Sequence, residues 1–147
     1  MYFQVTIKHN VEQEDGMLKQ VNEQFLLDAI SFTEAETRSY EFAEDMVQGE
    51  FTVVDIKHKK TIVDVIAEDG GDKFWLVKFK YLSVDGDSDK QKTITNQILV
   101  NADTLETANN LIKEYNSQML VPYEVYAITE TKIVEFIPYV KDEEVSE

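Results

Sequence analysis

Gln24-Phe-Leu-Leu-Asp-Ala29, then Ser31-Phe-Thr-Glu34 and Ala35, is answered 73 residues later by Gln97-Ile-Leu-Val-Asn-Ala102, Thr104-Leu105 and Ala108. In both places a run of apolar residues leads into a hydroxyl residue and then into helical spacing. The match extends outward on both sides. Tyr2-Phe-Gln-Val-Thr-Ile-Lys8 lies over Phe74-Trp-Leu-Val-Lys-Phe-Lys80. Phe51-Thr-Val-Val-Asp-Ile56 lies over Tyr123-Glu-Val-Tyr-Ala-Ile128, and Ile62-Val-Asp-Val-Ile66 over Ile133-Val-Glu-Phe-Ile137. The offset stays between 71 and 73 throughout. The chain is therefore expected to be a duplication within a single domain over 1–138. The repeats are 1–67 and 73–138, the connector 68–72 joins them, and an acidic flexible tail follows at 139–147.

Each repeat reads strand, strand, helix, strand, strand. Phe3, Val5 and Ile7 alternate with Gln4, Thr6 and Lys8, a period of two. Glu14-Asp-Gly16 supplies a turn before a strand near 18–28. Ser31 to Glu34 forms a capping box, opening a helix from about 32 to 47 with Ala35, Phe42, Ala43 and Met46 on one face. Phe51–Lys57 and Thr61–Ile66 are expected to pair as a hairpin around His58-Lys-Lys60. The second repeat follows: strands near 73–82 and 91–101, a box at Asp103-Thr-Leu-Glu106, and a helix with Leu105, Ala108, Leu111, Ile112 and Tyr115 inward. A last hairpin follows Pro122. Antiparallel strands with segregated helices predict an α+β fold.

The chain has 147 residues, 14 Lys+Arg against 29 Asp+Glu, a formal charge of −15 and no cysteine. Apolar residues at 43% suffice for a packed core, so an acidic disordered chain is not expected. The lack of cysteine excludes disulfide scaffolds, thiol catalysis and thiolate metal sites. No apolar run approaches the roughly 20 residues of a membrane span. The first eight residues read as a strand, not as a signal peptide. The net charge opposes non-specific binding to duplex DNA or anionic lipid.

Catalytic motifs are missing from the pattern. His9 and His58 have no triad or metal-ligand spacing, no serine lies in a Gly-x-Ser-x-Gly elbow, and Gly70-Gly71 does not precede a helix. Asp85-Gly-Asp-Ser-Asp89 opens like a calcium loop, but Lys90 and Asn96 stand where Gly and the bidentate Glu are needed. A solvated turn is the better reading. No enzyme activity, cofactor or metal is expected.

Eight of the fourteen cations fall between Lys57 and Lys92. In the strand from 73, Phe74, Leu76, Lys78 and Lys80 share the face opposite Trp75, Val77, Phe79 and Tyr81. Tyr2, Gln4, Thr6 and Lys8 repeat this in the first copy. Rings and lysines on an outward sheet face are what single-stranded nucleic acid needs, because bases stack and lysines track phosphates. Tyr2 and Phe74 are the stacking candidates. Lys8, Lys57, Lys59, Lys60, Lys78 and Lys80 are the phosphate contacts. Asp142, Glu143, Glu144 and Glu147 form an acidic end suited to docking partner proteins.

Phe25-Leu-Leu-Asp-Ala-Ile-Ser-Phe-Thr-Glu-Ala-Glu36, Gly49-Glu-Phe-Thr-Val-Val-Asp-Ile-Lys57 and Tyr123 to Pro138 with Ile128-Thr-Glu-Thr131 carry a further likeness. They resemble an uncharacterised family of the domain-of-unknown-function kind from gut Bacteroidota and their crAss-like phages. The predicted topology is similar to the small single-strand-binding folds of the PC-four, Whirly and Pur-alpha type. The resemblance implies a protein of phage or mobile elements in the bacterial host cytoplasm, and it brings no catalytic residues. The expectation is a non-enzymatic accessory protein of replication that binds single-stranded DNA. The alternatives are a protein–protein adaptor or virion component with an acidic surface, and an acidic DNA mimic. Open sheet edges also suit a homodimer.

Overall fold

Local rules place the helices. Ser31 has an extended backbone and its hydroxyl accepts the Glu34 N–H at 3.1 Å, while the Glu34 carboxylate reaches back to the Ile30 N–H at 3.4 Å. In the second repeat the cap is Thr104, not Asp103: its hydroxyl accepts the Thr107 N–H at 3.2 Å. The Asp103 carboxylate is already taken by the Asp72 N–H at 2.7 Å, so the helix starts one residue later.

The computed structural model describes residues 1–67, 70–84 and 91–139. Along the chain run β1 (Tyr2–Glu12), β2 (Leu18–Asp28), α1 (Phe32–Met46), β3 (Phe51–His58) and β4 (Ile62–Ile66). β5 (Lys73–Val84), β6 (Gln91–Ala102), α2 (Leu105–Asn116), β7 (Tyr123–Glu130) and β8 (Ile133–Ile137) follow. The strands form two four-stranded sheets, ordered β3-β1-β2-β8 and β4-β6-β5-β7, mostly antiparallel, each with one helix. The fold class is α+β, as the patterning predicts. Asp85–Asp89 and the acidic tail lie outside the described residues.

Both expected hairpins are absent. β3 pairs with β1, and β7 with β5, while β4 pairs in parallel with β6 and β8 in parallel with β2. The residues that would turn back are held elsewhere. The Lys59 N–H donates to the Tyr2 carbonyl at 2.8 Å, and the Thr131 N–H to the Phe74 carbonyl at 2.9 Å, so each strand continues its existing ladder. The Gln97 N–H then donates to the Thr61 carbonyl at 2.8 Å and starts the β4–β6 ladder. The compact units are thus Met1–Lys60 with the segment from Ile133 onward, and Thr61–Lys132. Each repeat's last strand completes the other unit's sheet.

In the first unit Phe3, Val5, Ile7, Phe25 and Leu27 bury against Ala35 and Ala43 of α1. In the second, Trp75, Val77, Phe79, Ile98 and Val100 bury against Ala108 and Ile112 of α2. Each such large side chain contributes about 1.5–3 kcal/mol of transfer free energy. Leu105 is half exposed instead of inward, because the apolar stripe of α2 begins one turn later at Ala108. Leu26 and Leu99 are fully buried on the faces away from the helices. This explains the unbroken apolar runs in β2 and β6, which sit between two strand neighbours each.

Candidate functional site

The register separates the lysines and rings singled out by pattern. Lys8, Lys57, Lys59, Lys60 and Tyr2 belong to the first unit, Phe74, Lys78 and Lys80 to the second. On β1 and β3, Lys57 stands opposite Gln4 and Lys8 opposite Thr52, which puts them about 13 Å apart along the strand. Lys57 is exposed and pairs with Asp55 at 3.4 Å. The Tyr2 ring is half-buried, 6.2 Å from that of Phe136. Phe74 is only 7% exposed and cannot offer a face to a base, a correction to its reading as an outward ring. Alternation fixes which face a residue takes, not whether that face meets solvent. Asp142, Glu143, Glu144 and Glu147 lie outside the described residues.

Lys78 and Lys80 do share a face, as successive outward residues of β5. The Lys80 ammonium lies 3.7 Å from the Glu124 carboxylate and 5.7 Å from the centre of the Tyr126 ring. Beside it opens a cleft of about 490 Å³, a size that can hold a side chain or small ligand. β5 supplies Lys80, Tyr81 and Leu82, and β6 supplies Thr93. The chain entering β7 supplies Val121 and Pro122, then Tyr123 and Glu124. Leu82 is 52% exposed, Val121 42% and the neighbouring Leu120 fully so. The lining is thus largely apolar, with the Lys80–Glu124 ion pair and the side chains of Tyr81, Thr93 and Tyr123 as its polar groups. Tyr126 sits at the β-bulge where the β5–β7 register shifts between Lys78 and Phe79, and its half-exposed ring shares the face of Glu124, two residues before it.

A family model described as a domain of unknown function, DUF4494, matches residues 1–139. The chain belongs to the DUF4494 family. No curated protein and no solved structure matches it. Among the described residues of this DUF4494 chain no group of three or more His, Cys, Asp or Glu side chains could hold a metal ion. No helix among them is long and apolar enough to cross a membrane.

The DUF4494 duplication provides an internal control on the cleft. The equivalent recess of the first unit, about 460 Å³, is lined by Lys8, His9, Asn10 and Gln20, with Glu50 before β3 and Phe51, Thr52, Val53 and Val54 from β3 itself. Asn10 stands where the second unit has Leu82, Gln20 where it has Thr93, and Glu50 where it has Pro122. His9 is also held by the Glu23 carboxylate. The same backbone frame therefore carries a more polar lining in the first copy, through Asn10 and Glu50, and a more apolar one in the second, through Leu82 and Pro122. Packing does not demand Leu82 or Val121. Of the sequence candidates among the described residues only Lys80 lines this cleft. Tyr81, Leu82, Val121, Tyr123 and Tyr126 escaped notice, although the mismatch of Leu82 with Asn10 in the aligned repeats is a legible signal.

Proposed function

We propose that this DUF4494 chain is a non-enzymatic protein-recognition module whose second-unit cleft receives an apolar side chain of a partner protein. The observation that carries the reading is the apolar lining at Leu82 and Pro122, where the first unit has Asn10 and Glu50, with the exposed Val121 beside them. Apolar surface kept exposed without a folding role marks interaction sites. A buried aliphatic or aromatic anchor contributes about 1.5–3 kcal/mol, and Tyr126 beside the cleft adds a rigid ring of the kind found at interface hot spots. The bulge at Tyr126 also blunts the open edge of β7 against strand addition, so a side-chain anchor fits better than a paired strand. Peptide display against the intact protein tests this. Selected peptides should share one aliphatic or aromatic anchor and bind by calorimetry. Leu82→Asn with Pro122→Glu, the residues of the first unit, should weaken them at least about tenfold, one anchor's worth of burial. Peptides that ignore the double substitution would remove the reading.

A second reading is favoured by the Lys80 ammonium beside the exposed Tyr126 ring, with Lys78 on the same strand. In it the chain binds single-stranded DNA as an accessory protein of phage or mobile-element replication in the host cytoplasm. Oligo-dT anisotropy across a salt series separates the two. Saturable binding that Lys78→Ala and Tyr126→Ala abolish supports this second reading, and its failure at low salt discards it.

A further inference from the structure

A different groove, in the first unit, points to a different ligand. Along α1, Phe32, Glu36 and Tyr40 stand on successive turns and face β3 across a groove of about 240 Å³ that also takes in Val54 and Asp55. Phe32, Val54 and Tyr40 are each about half exposed, at 51%, 53% and 46%. β3 is bonded only to β1, so its outer edge borders the groove without a strand partner among the described residues. The second unit again supplies the control. Its groove between α2 and β7 places Asn109 where Glu36 stands and Ala127 where Asp55 stands, with Glu106 as its only carboxylate among the described residues. The two carboxylates of the first groove are therefore not required to build a helix beside an edge strand.

Their surroundings select the occupant. α1 carries Glu34, Glu36, Glu41, Glu44 and Asp45 against one cation, Arg38. Arg38 is spent on the carbonyls of Asp28 and Pro138 and on Glu34, leaving Glu36 with no cation partner among the described residues. Asp55 pairs with Lys57, which is 65% exposed and can swing away at little cost. Two exposed aromatic rings with carboxylates between them suit a cation that sheds part of its water, because ring faces and carboxylates both attract it. A guanidinium fits best, since it stacks on rings and meets a carboxylate with two parallel bonds. We infer that the α1–β3 groove docks a basic segment of a partner protein, seating an arginine between Phe32 and Tyr40 on Glu36 and Asp55. The inference stands apart from the cleft of the second unit.

The test uses the full chain and fluorescein-labelled hexa-arginine, read by anisotropy at low and physiological salt. A protein of −15 attracts such a peptide over its whole surface, so the comparison is between two variants of equal charge loss. Glu36→Gln with Asp55→Asn should weaken binding about tenfold, as loss of two charge-assisted contacts predicts. Glu41→Gln with Asp45→Asn, on another face of α1, should weaken it less than about twofold. Tyr40→Ala should weaken binding with no change of charge, as a ring contact requires. The substituted positions on α1 are exposed and Asp55 is half-buried, and thermal melts alongside confirm folding. Leu82→Asn should leave hexa-arginine affinity unchanged. Equal losses in the two charge variants, or indifference to Tyr40→Ala, would show attraction by the general field and overturn the groove. Absence of saturable binding would do the same.

Discussion

Asn101 is a buried polar side chain with every group used. Its amide oxygen accepts the Gly71 N–H, and its nitrogen donates to the carbonyls of Gly71 at 2.8 Å and Lys73 at 2.9 Å. This clamp pins the entry to β5, and Gly71 fits beneath it only because it lacks a side chain. A Cβ there would stand 2.6 Å from the backbone of Ala102. Gly71→Ala is expected to lower stability by about 1–3 kcal/mol, the usual cost of overpacking, read as a lower urea midpoint. An unchanged midpoint would mean that the connector moves aside freely. Asn116 is the opposite case. It is 2% exposed, and neither polar atom of its side chain has a hydrogen-bond partner among the described residues. The aligned position in α1 is Ala43. Asn116→Ala should leave stability unchanged or raise it by about 1 kcal/mol, because it removes a desolvated group that makes no bond. A clear loss of stability would show that the amide is satisfied in solution, for instance by water.

At the scale of elements, the exchanged strands need anchors that hairpins would not. Arg38 of α1 donates to the Pro138 carbonyl at 2.8 Å just beyond β8, and its guanidinium lies 5.9 Å from the Tyr139 ring centre. In the second unit the Tyr115 hydroxyl donates to the Asp64 carboxylate of β4 at 2.9 Å. Arg38→Ala should therefore speed amide exchange in β8 more than in β1, by mass spectrometry, at a global cost of about 1–3 kcal/mol for its charged hydrogen bonds. Uniform protection would show that the ladder with β2 suffices alone. The anchors also explain what patterning could reveal. β1, β2, β5, β6 and both helices were legible because alternation, turn residues and caps are local signals. The partners of β4 and β8 were not. A five-residue stretch such as Ile62-Val-Asp-Val-Ile66 fits a hairpin or a parallel neighbour equally well, and sequence proximity favours the hairpin. The cleft was half legible for a related reason. Lys80 follows from alternation, but β7 alternates only as far as Tyr126, and the bulge there shifts the face of the residues after it without a mark in the sequence, so the pattern alone does not say which register Tyr126 follows.

At the scale of the whole chain, the strand exchange makes the two units unequal. The second unit is the continuous segment Thr61–Lys132, whereas the first is made of residues on both sides of it. If the second unit unfolds, β8 must be brought to β2 across a floppy loop of 72 residues, at a closure cost of about 4 kcal/mol. If the first unit unfolds, β4, β5, β6, β7 and α2 keep all their mutual ladders. Damage should therefore travel in one direction. Phe79→Ala removes a ring 2% exposed in the second core, and Phe25→Ala one 1% exposed in the first; each should cost about 3–5 kcal/mol locally. Amide exchange by mass spectrometry should show Phe79→Ala loosening β5 and β6 and also β2 with β8. Phe25→Ala should loosen β1, β2 and β8 while β5 and β6 stay protected. Reciprocal loosening in both variants would mean that the units are coupled by more than chain connectivity. Protection of β8 in Phe79→Ala would mean that the parallel β2–β8 ladder holds without a folded insert.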